Sequence, residues 1–440
     1  MDPSSDNVLH EARAAGFALA GISSARPSAY GQSVRQWIAD GQHGEMHYLE
    51  TNLDVRLDPA RLLDGARSVI ALGEAYCRDA PPVEDDSMNL GEPDAAAWGP
   101  RGRIARYAWG QDYHKVLQKR LHTLADTLRT QHPDHAFRCT VDTAPVLERE
   151  HAARAGLGWQ AKNTMLIHPR HGSFFLVGLI VTTLPLDPRA THNTRSKNFA
   201  EVSETPGQTG VSAAISTPQP DGSASPAPGH DLPVTDHCAR CTRCIDACPT
   251  DAIDPRGYRI DATRCVSYLT IEHRSPVAPA LHAGVGDWLA GCDICQEVCP
   301  YNQVAARHPL PIDPRYLPRR TDPAAKVDLP APPSHDEIGH DHDLSKGLPL
   351  VEVIRWTDED RARSFRGSAL KRVKLNMIRR NALIAAGNAL QPPIDLPAPA
   401  ERDLREAIAE CLDDPDPLVR TTAQQVRERL ASAGSTVGDR

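Results

Sequence analysis

Apolar and polar positions alternate along the first 190 residues in two different rhythms. Residues 112–131, DYHKVLQKRLHTLADTLRTQ, place Val116, Leu117, Leu121, Leu124 and Leu128 at helical spacing, which predicts an amphipathic helix. Residues 7–30 read as a helix followed by the strand-like FALAGIS, and VRQWIAD (34–40) reads as a second helix. Three stretches carry β-branched or aromatic apolar runs: ARSVIALGEAY (66–76), FRCTVDT (137–143) and GSFFLVGLIVTTLPL (172–186). They predict buried strands, the last of them central, and Pro145 suits the first turn of a helix after the second. Strands mixed with helices indicate an α/β or α+β domain over 1–190.

The pattern then changes. Residues 191–235 are rich in Ser, Thr, Gly, Pro and Ala with hardly any large apolar side chain, so they are expected to form a disordered linker. A Cys-rich segment follows over 236–308, then a Pro-, His- and Asp-rich connection over 309–348. From 349 to 434 the rhythm is helical. DDPDPLVRTTAQQVRERLAS resembles one HEAT-like unit, a Pro-containing turn and then a helix with Val419, Ala423, Val426 and Leu430 on one face.

Composition narrows the class. The 440 residues are 40% hydrophobic and 24% charged, as in globular proteins. No apolar run is long enough to span a membrane, and the N-terminal stretch lacks the features of an export signal, so a cytoplasmic protein without a membrane link is expected. A net charge of −8 argues against a generic nucleic-acid coat protein but leaves room for a local basic face. In a reducing compartment eleven cysteines are not a disulfide framework.

Eight of those eleven lie between Cys238 and Cys299. Cys238, Cys241, Cys244 and Cys248, followed by Pro249, match C-x2-C-x2-C-x3-C-P, the bacterial ferredoxin run for a 4Fe–4S cluster. The fourth cysteine is expected to open a helix and serve a second cluster. Cys292, Cys295 and Cys299, with Pro300, form the second run, and Cys265 supplies its missing member. Crossed ligation groups Cys238, Cys241, Cys244 and Cys299 around one cluster and Cys248, Cys265, Cys292 and Cys295 around the other. Structural zinc is the alternative, but it explains four cysteines and leaves both Cys-Pro pairs to chance. Two clusters move single electrons, so other segments must define what is reduced.

Several of those segments are familiar. NLDVRLDPARLLDGARSVIAL, GRIARYAWGQDYHKVL, VDTAPVLEREHAARAGLGWQAKNTMLIHPRHGSFFLVG, RCVSYLTIEHR and FRGSALKRVKLNMIRRNALIAAGN, together with the two Cys motifs, resemble the epoxyqueuosine reductase family in sequence and in order. The resemblance implies an N-terminal cobalamin-binding domain of nitroreductase-like α+β architecture over 1–190. It further implies a ferredoxin-like dicluster domain and a helical, HEAT-like C-terminal region that holds tRNA. The implied reaction reduces epoxyqueuosine to queuosine at the wobble position of the anticodon, with electrons from a low-potential donor and the enzyme acting as a monomer. A reductive dehalogenase and a plain dicluster electron carrier are the alternatives. The first lacks its export signal here, and the second leaves the N-terminal blocks unexplained.

The resemblance also implies residue roles. Asp142 is the proton donor to the leaving oxygen, for which a raised pKa is expected from burial; on sequence alone it also reads as a helix-start residue ahead of Pro145. Arg56, Tyr107, Asp112, Tyr113, His114, Lys162, Asn163, Thr164, Ser267 and Tyr268 are candidates to line the cobalamin pocket. His114 also reads as a histidine satisfied at a helix start rather than a cobalt ligand. Ala161 stands where the family usually has Gly, which raises the question of whether that turn needs a positive φ. Arg366, Lys371, Arg372, Lys374, Arg379 and Arg380 form a basic cluster on a predicted helix suited to tRNA phosphates, or to an ordinary solvated face.

Overall fold

The computed structural model describes residues 3–77, 100–188, 236–318 and 343–435. The expected linker over 191–235 lies outside the described residues, as do residues 319–342 of the expected connection.

Strands Leu19–Ser24, Ser68–Ala75, Phe175–Thr182 and Phe137–Thr140 form one antiparallel sheet in that order. All eight residues of Ser68–Ala75 are buried because helices cover both faces. Side chains alternate across a strand, so Ile70 and Leu72 join one core while Val69 and Ala71 join another. The first core is completed by Val116, Leu117, Leu121, Leu124 and Leu128 of helix Tyr113–Gln131, the stripe read from the sequence. The second takes Ala152 and Ala153 of helix Glu148–Arg154. Gly178 permits the close approach of helix to sheet: a Cβ there would lie 2.8 Å from Leu121 Cδ1.

Two details differ from expectation. The strand predicted over FRCTVDT ends at Thr140, and Asp142 adopts a left-handed backbone at φ 53°. Pro145 precedes the helix Glu148–Arg154 instead of sitting in its first turn.

A second, three-stranded sheet joins distant parts of the chain. Arg101–Ile104 pairs in parallel with Trp288–Ala290 and antiparallel with Leu348–Pro349. The Cys-rich segment folds as short helices and turns around this sheet. Pro300 opens helix Pro300–Ala305 after Cys299, whereas a turn and no helix follows Cys248, where a helix was expected.

The C-terminal part is helical throughout, with main helices Leu375–Ala389, Ala398–Glu410 and Pro417–Ser435. Val419, Ala423 and Val426 are fully buried, and Leu430 packs beside them, in the predicted register. The basic segment is broken where one helix was predicted. Ala369–Arg372 is a single 3-10 turn, Val373 and Lys374 are extended, and the helix begins at Leu375. Among the described residues no helix is long and apolar enough to cross a membrane.

Candidate functional site

Several of the eight clustered cysteines lie near one another in the fold, and their thiols raise each other's pKa values. Burial raises the Cys244 thiol to about 11, and the neighbouring charges of Cys238, Cys299 and Cys241 add to it. Burial and then the charge of Cys295 raise Cys292, with Cys265 also contributing. Cys295 is raised by burial and by Cys265, Cys244 and Cys248. Among the described residues no three cysteine sulfurs lie within 4.8 Å of one another. Four thiolates on one zinc, at Zn–S of about 2.3 Å, would stand roughly 3.8 Å apart. Eight cysteines in two runs exceed what one zinc ion takes and suit two larger cores. The sulfurs are also supplied with donors: the backbone N–H of Ala252 lies 3.3 Å from Cys248 Sγ, and those of Tyr268 and Ser267 favour the Cys265 thiolate. Such bonds stabilise cluster thiolates.

The GLGWQAKN segment braces these loops. Lys162 Nζ donates to the carbonyls of Ala239 (2.7 Å) and Cys241 (3.1 Å), and Asn163 Nδ2 donates to Cys295 O at 3.1 Å. Both side chains thus hold the cysteine loops. Ala161 is buried without a positive φ; the left-handed residue is Thr164, at 63°, whose carbonyl accepts from Arg149 Nη1. The departure from Gly at 161 leaves the turn intact. Tyr268 is likewise engaged: its hydroxyl accepts from Glu45 N–H at 2.7 Å and packs against Gly44. Its neighbour Ser267 is half-buried.

Asp142 sits in a network of its own. Its Oδ2 accepts from Tyr113 Oη at 2.6 Å and faces His114 Nε2 at 3.3 Å. Asp112, the cap of helix Tyr113–Gln131, holds His114 Nδ1 at 2.9 Å. Both imidazole nitrogens are engaged by carboxylates, so His114 is a helix-start residue in a carboxylate pair and not an available axial ligand. Its ring stacks on Tyr113, which meets Tyr107 edge to face. Burial lowers the His114 pKa, but the two carboxylates outweigh it and bring it up to about 9. Burial raises Asp142, yet the hydrogen bonds from His114 and Tyr113 and the charges of His114 and Arg372 hold it well below the usual carboxylate range. The raised pKa expected of Asp142 is therefore not found: the proton of this pair rests on His114.

The raised carboxyl is Glu148, which sequence reasoning missed. Its Oε1 accepts the backbone N–H of Asp142 at 2.5 Å. Burial and then the nearby charge of Asp142 push it up to about 8. It lies in the quoted VDTAPVLERE run, but only the turn at Asp142 brings it there. Arg56 joins from the other side, half-buried, with its Nε buried and without a hydrogen-bond partner. Burial lowers its pKa, countered by Tyr48, Glu148 and Asp142. Tyr48 is 55% exposed at the same site.

Arg372 connects this site to the basic segment. It pairs with Glu272 at 2.7 Å, and its charge reaches Tyr107, Tyr113 and Asp142. Lys371, Arg372, Lys374 and Arg379 line a groove of about 440 Å³ together with Asp358 and Asp416. Arg366 is exposed nearby in sequence. Arg379 is half-committed to structure, pairing with Asp414 at 2.6 Å and donating to Ile354 O. Arg380 does not belong to this surface. It is fully buried and donates to the carbonyls of Leu269, His273 and Ser275, so its expected tRNA role is withdrawn. A step of one residue along a helix rotates the side chain by about 100°, which charge clustering alone cannot reveal.

Comparisons with known proteins show the family. The family model described as Epoxyqueuosine reductase QueG, DUF1730 matches residues 56–143, a stretch bounded closely by Arg56 and Asp142. The model described as 4Fe-4S double cluster binding domain matches residues 237–302. A solved epoxyqueuosine reductase, crystallised with an epoxyqueuosine-modified tRNA-Tyr stem loop, shares the fold at a TM-score of 0.69 and 23% identity, over 97% of this chain and 89% of that one. The epoxyqueuosine reductase of Alicycliphilus denitrificans is 32% identical over 93% of both chains. That of Burkholderia pseudomallei is 33% identical over 92% of this chain and 86% of its own length, and on this extent of likeness the chain belongs to the epoxyqueuosine reductase family.

Proposed function

We propose that this protein reduces epoxyqueuosine to queuosine in the anticodon of tRNA, in the cytoplasm, using cobalamin and two 4Fe–4S clusters. The observation that carries the reading is that Arg372 lines the basic groove while its charge reaches Asp142, in a chain that also holds the clustered cysteines. A protein that only carried electrons would need neither the groove nor the Asp142 network.

Cys238, Cys241, Cys244 and Cys299 would hold one cluster, and Cys248, Cys265, Cys292 and Cys295 the other. The polar aromatic ring of Tyr48, Tyr107 and Tyr113 fits the margin of a corrin, and the unpartnered Nε of Arg56 suits one of its amide oxygens. Bound cobalamin supplies a low-valent metal centre able to deliver electrons to a strained epoxide, which no side chain can do. The side chains manage the proton. At neutral pH His114 Nε2 holds it against Asp142 Oδ2, and Tyr113 Oη steadies the same oxygen. As negative charge develops on the leaving oxygen, the proton can pass through Asp142 Oδ2. The groove lined by Lys371, Arg372 and Lys374 would take tRNA phosphates, with Arg366 and Arg379 flanking. The proposed units are a catalytic domain over 1–190, a dicluster domain over 236–308 and a tRNA-binding region over 349–434, acting as a monomer with a low-potential electron donor.

The test is nucleoside mass spectrometry after an anaerobic reaction with cobalamin, a low-potential reductant and epoxyqueuosine-containing tRNA. Loss of one oxygen from the wobble nucleoside, dependent on cobalamin and abolished in Asp142→Ala, is the expected result. An unchanged nucleoside with bound, reducible corrinoid would overturn the assignment.

A further inference from the structure

Trp159 is among the largest fully buried side chains, 1% exposed, yet it carries a polar N–H. A buried indole N–H needs a partner. Here the partner is sulfur: Nε1 lies 3.4 Å from Cys238 Sγ. The ring is fixed in place by edge-to-face packing with His237 at 4.7 Å and Tyr301 at 4.8 Å. Trp159 also joins a small apolar cluster with Ala161, Ile167 and Cys299, a second cysteine of the same set. The donor comes from a short strand of the N-terminal part, Trp159–Gln160, and not from the cysteine loop itself. Backbone N–H groups serve Cys248 and Cys265. Cys238 receives, beside the backbone N–H of Lys162, a side chain from 79 residues away.

From this geometry we infer that Trp159 sets the reduction potential of the cluster held by Cys238, Cys241, Cys244 and Cys299, through an indole N–H···S hydrogen bond. Reduction adds one electron and one negative charge to the cluster. A donor on a ligand sulfur stabilises that added charge, and the packed rings keep water from taking its place. The inference rests on the ligand assignment proposed above for Cys238. It does not depend on the tRNA reaction.

The experiment is an EPR-monitored redox titration of the reconstituted protein and its Trp159→Phe variant. Phenylalanine keeps the apolar body and removes the N–H. The expected result is a more negative midpoint for one cluster, with its reduction equilibrium falling several-fold to tenfold, where tenfold is 59 mV for one electron. The second cluster is the internal control and is expected to hold its potential. Equal midpoints in the two proteins, or equal shifts of both clusters, would overturn the inference. Should the variant fail to load iron, wild-type protein labelled with 15N in its tryptophans decides the matter. A 15N hyperfine coupling on one reduced cluster supports the bond, and its absence removes it. Failure of the ligand assignment is read separately: Cys238→Ser would then retain both clusters.

Discussion

Replacing Arg380 with methionine separates a structural arginine from a phosphate-binding one. Its guanidinium is fully buried, and burial lowers its pKa to about 10. It donates to His273 O at 2.6 Å, to Ser275 O at 2.9 Å and to Leu269 O, and twice to Asn381 Oδ1. These bonds tie helix Leu375–Ala389 to the segment that follows Cys265. Each charge-assisted bond contributes about 1.5–3 kcal/mol, but desolvating the guanidinium costs several kcal/mol in return. Methionine fills much of the volume and leaves the buried Leu269 carbonyl and the part-buried carbonyls of His273 and Ser275 short of a donor, at up to about 1–3 kcal/mol each. The net loss expected is about 3–5 kcal/mol. In an anaerobic urea titration followed by far-UV circular dichroism, the midpoint should fall by at least about 1 M at ordinary slopes. The salt dependence of tRNA binding should not change. The reasoning is refuted if the midpoint holds and the logarithmic salt slope drops by about 0.7–0.9, the signature of one lost phosphate contact.

Three other predictions follow from the site. His114 is raised from 6.5 to about 9, so its proton-linked stability is fully present below pH 6.5 and lost as pH rises through 9. The stability difference between wild type and His114→Asn should therefore shrink by up to about 3 kcal/mol across that window, read from urea midpoints. Glu148 is raised from 4.5 to about 8, so folding favours its protonated form and wild type loses stability from pH 4.5 up through pH 8. Glu148→Gln, which keeps an oxygen for the Asp142 N–H, should flatten that loss, while Glu148→Ala should lower the rate of epoxide reduction by loosening the Asp142 turn. Finally, Cys248→Ser and Cys265→Ser should abolish the same EPR signal, and Cys244→Ser and Cys299→Ser the other. In-line ligation would instead pair Cys244 with Cys248.

Where motifs were dense, the sequence read well. The cysteine spacings specify two clusters, because an iron–sulfur core accepts only thiolates that short loops can wrap around it. The stripe from Val116 to Leu128 and the run Ser68–Ala75 announce a helix and a strand, since helix and strand periods differ and each must bury a face. The helical register of Val419, Ala423 and Val426 is equally legible. Fold class and chemistry were therefore written locally.

Direction and environment were not. Arg379 and Arg380 are neighbours in sequence, yet one lines the groove and the other is sealed against Leu269. Asp142 is held ionised and Glu148 protonated because a left-handed turn hands the Asp142 N–H to Glu148 while its carboxylate meets Tyr113 and His114. Trp159 meets Cys238 only once the N-terminal part is docked. A sequence determines by itself which chemical groups exist and which local periods they follow. Their pKa values, partners and exposure depend on through-space distances of a few ångströms, and those are settled only when segments far apart in the chain pack together.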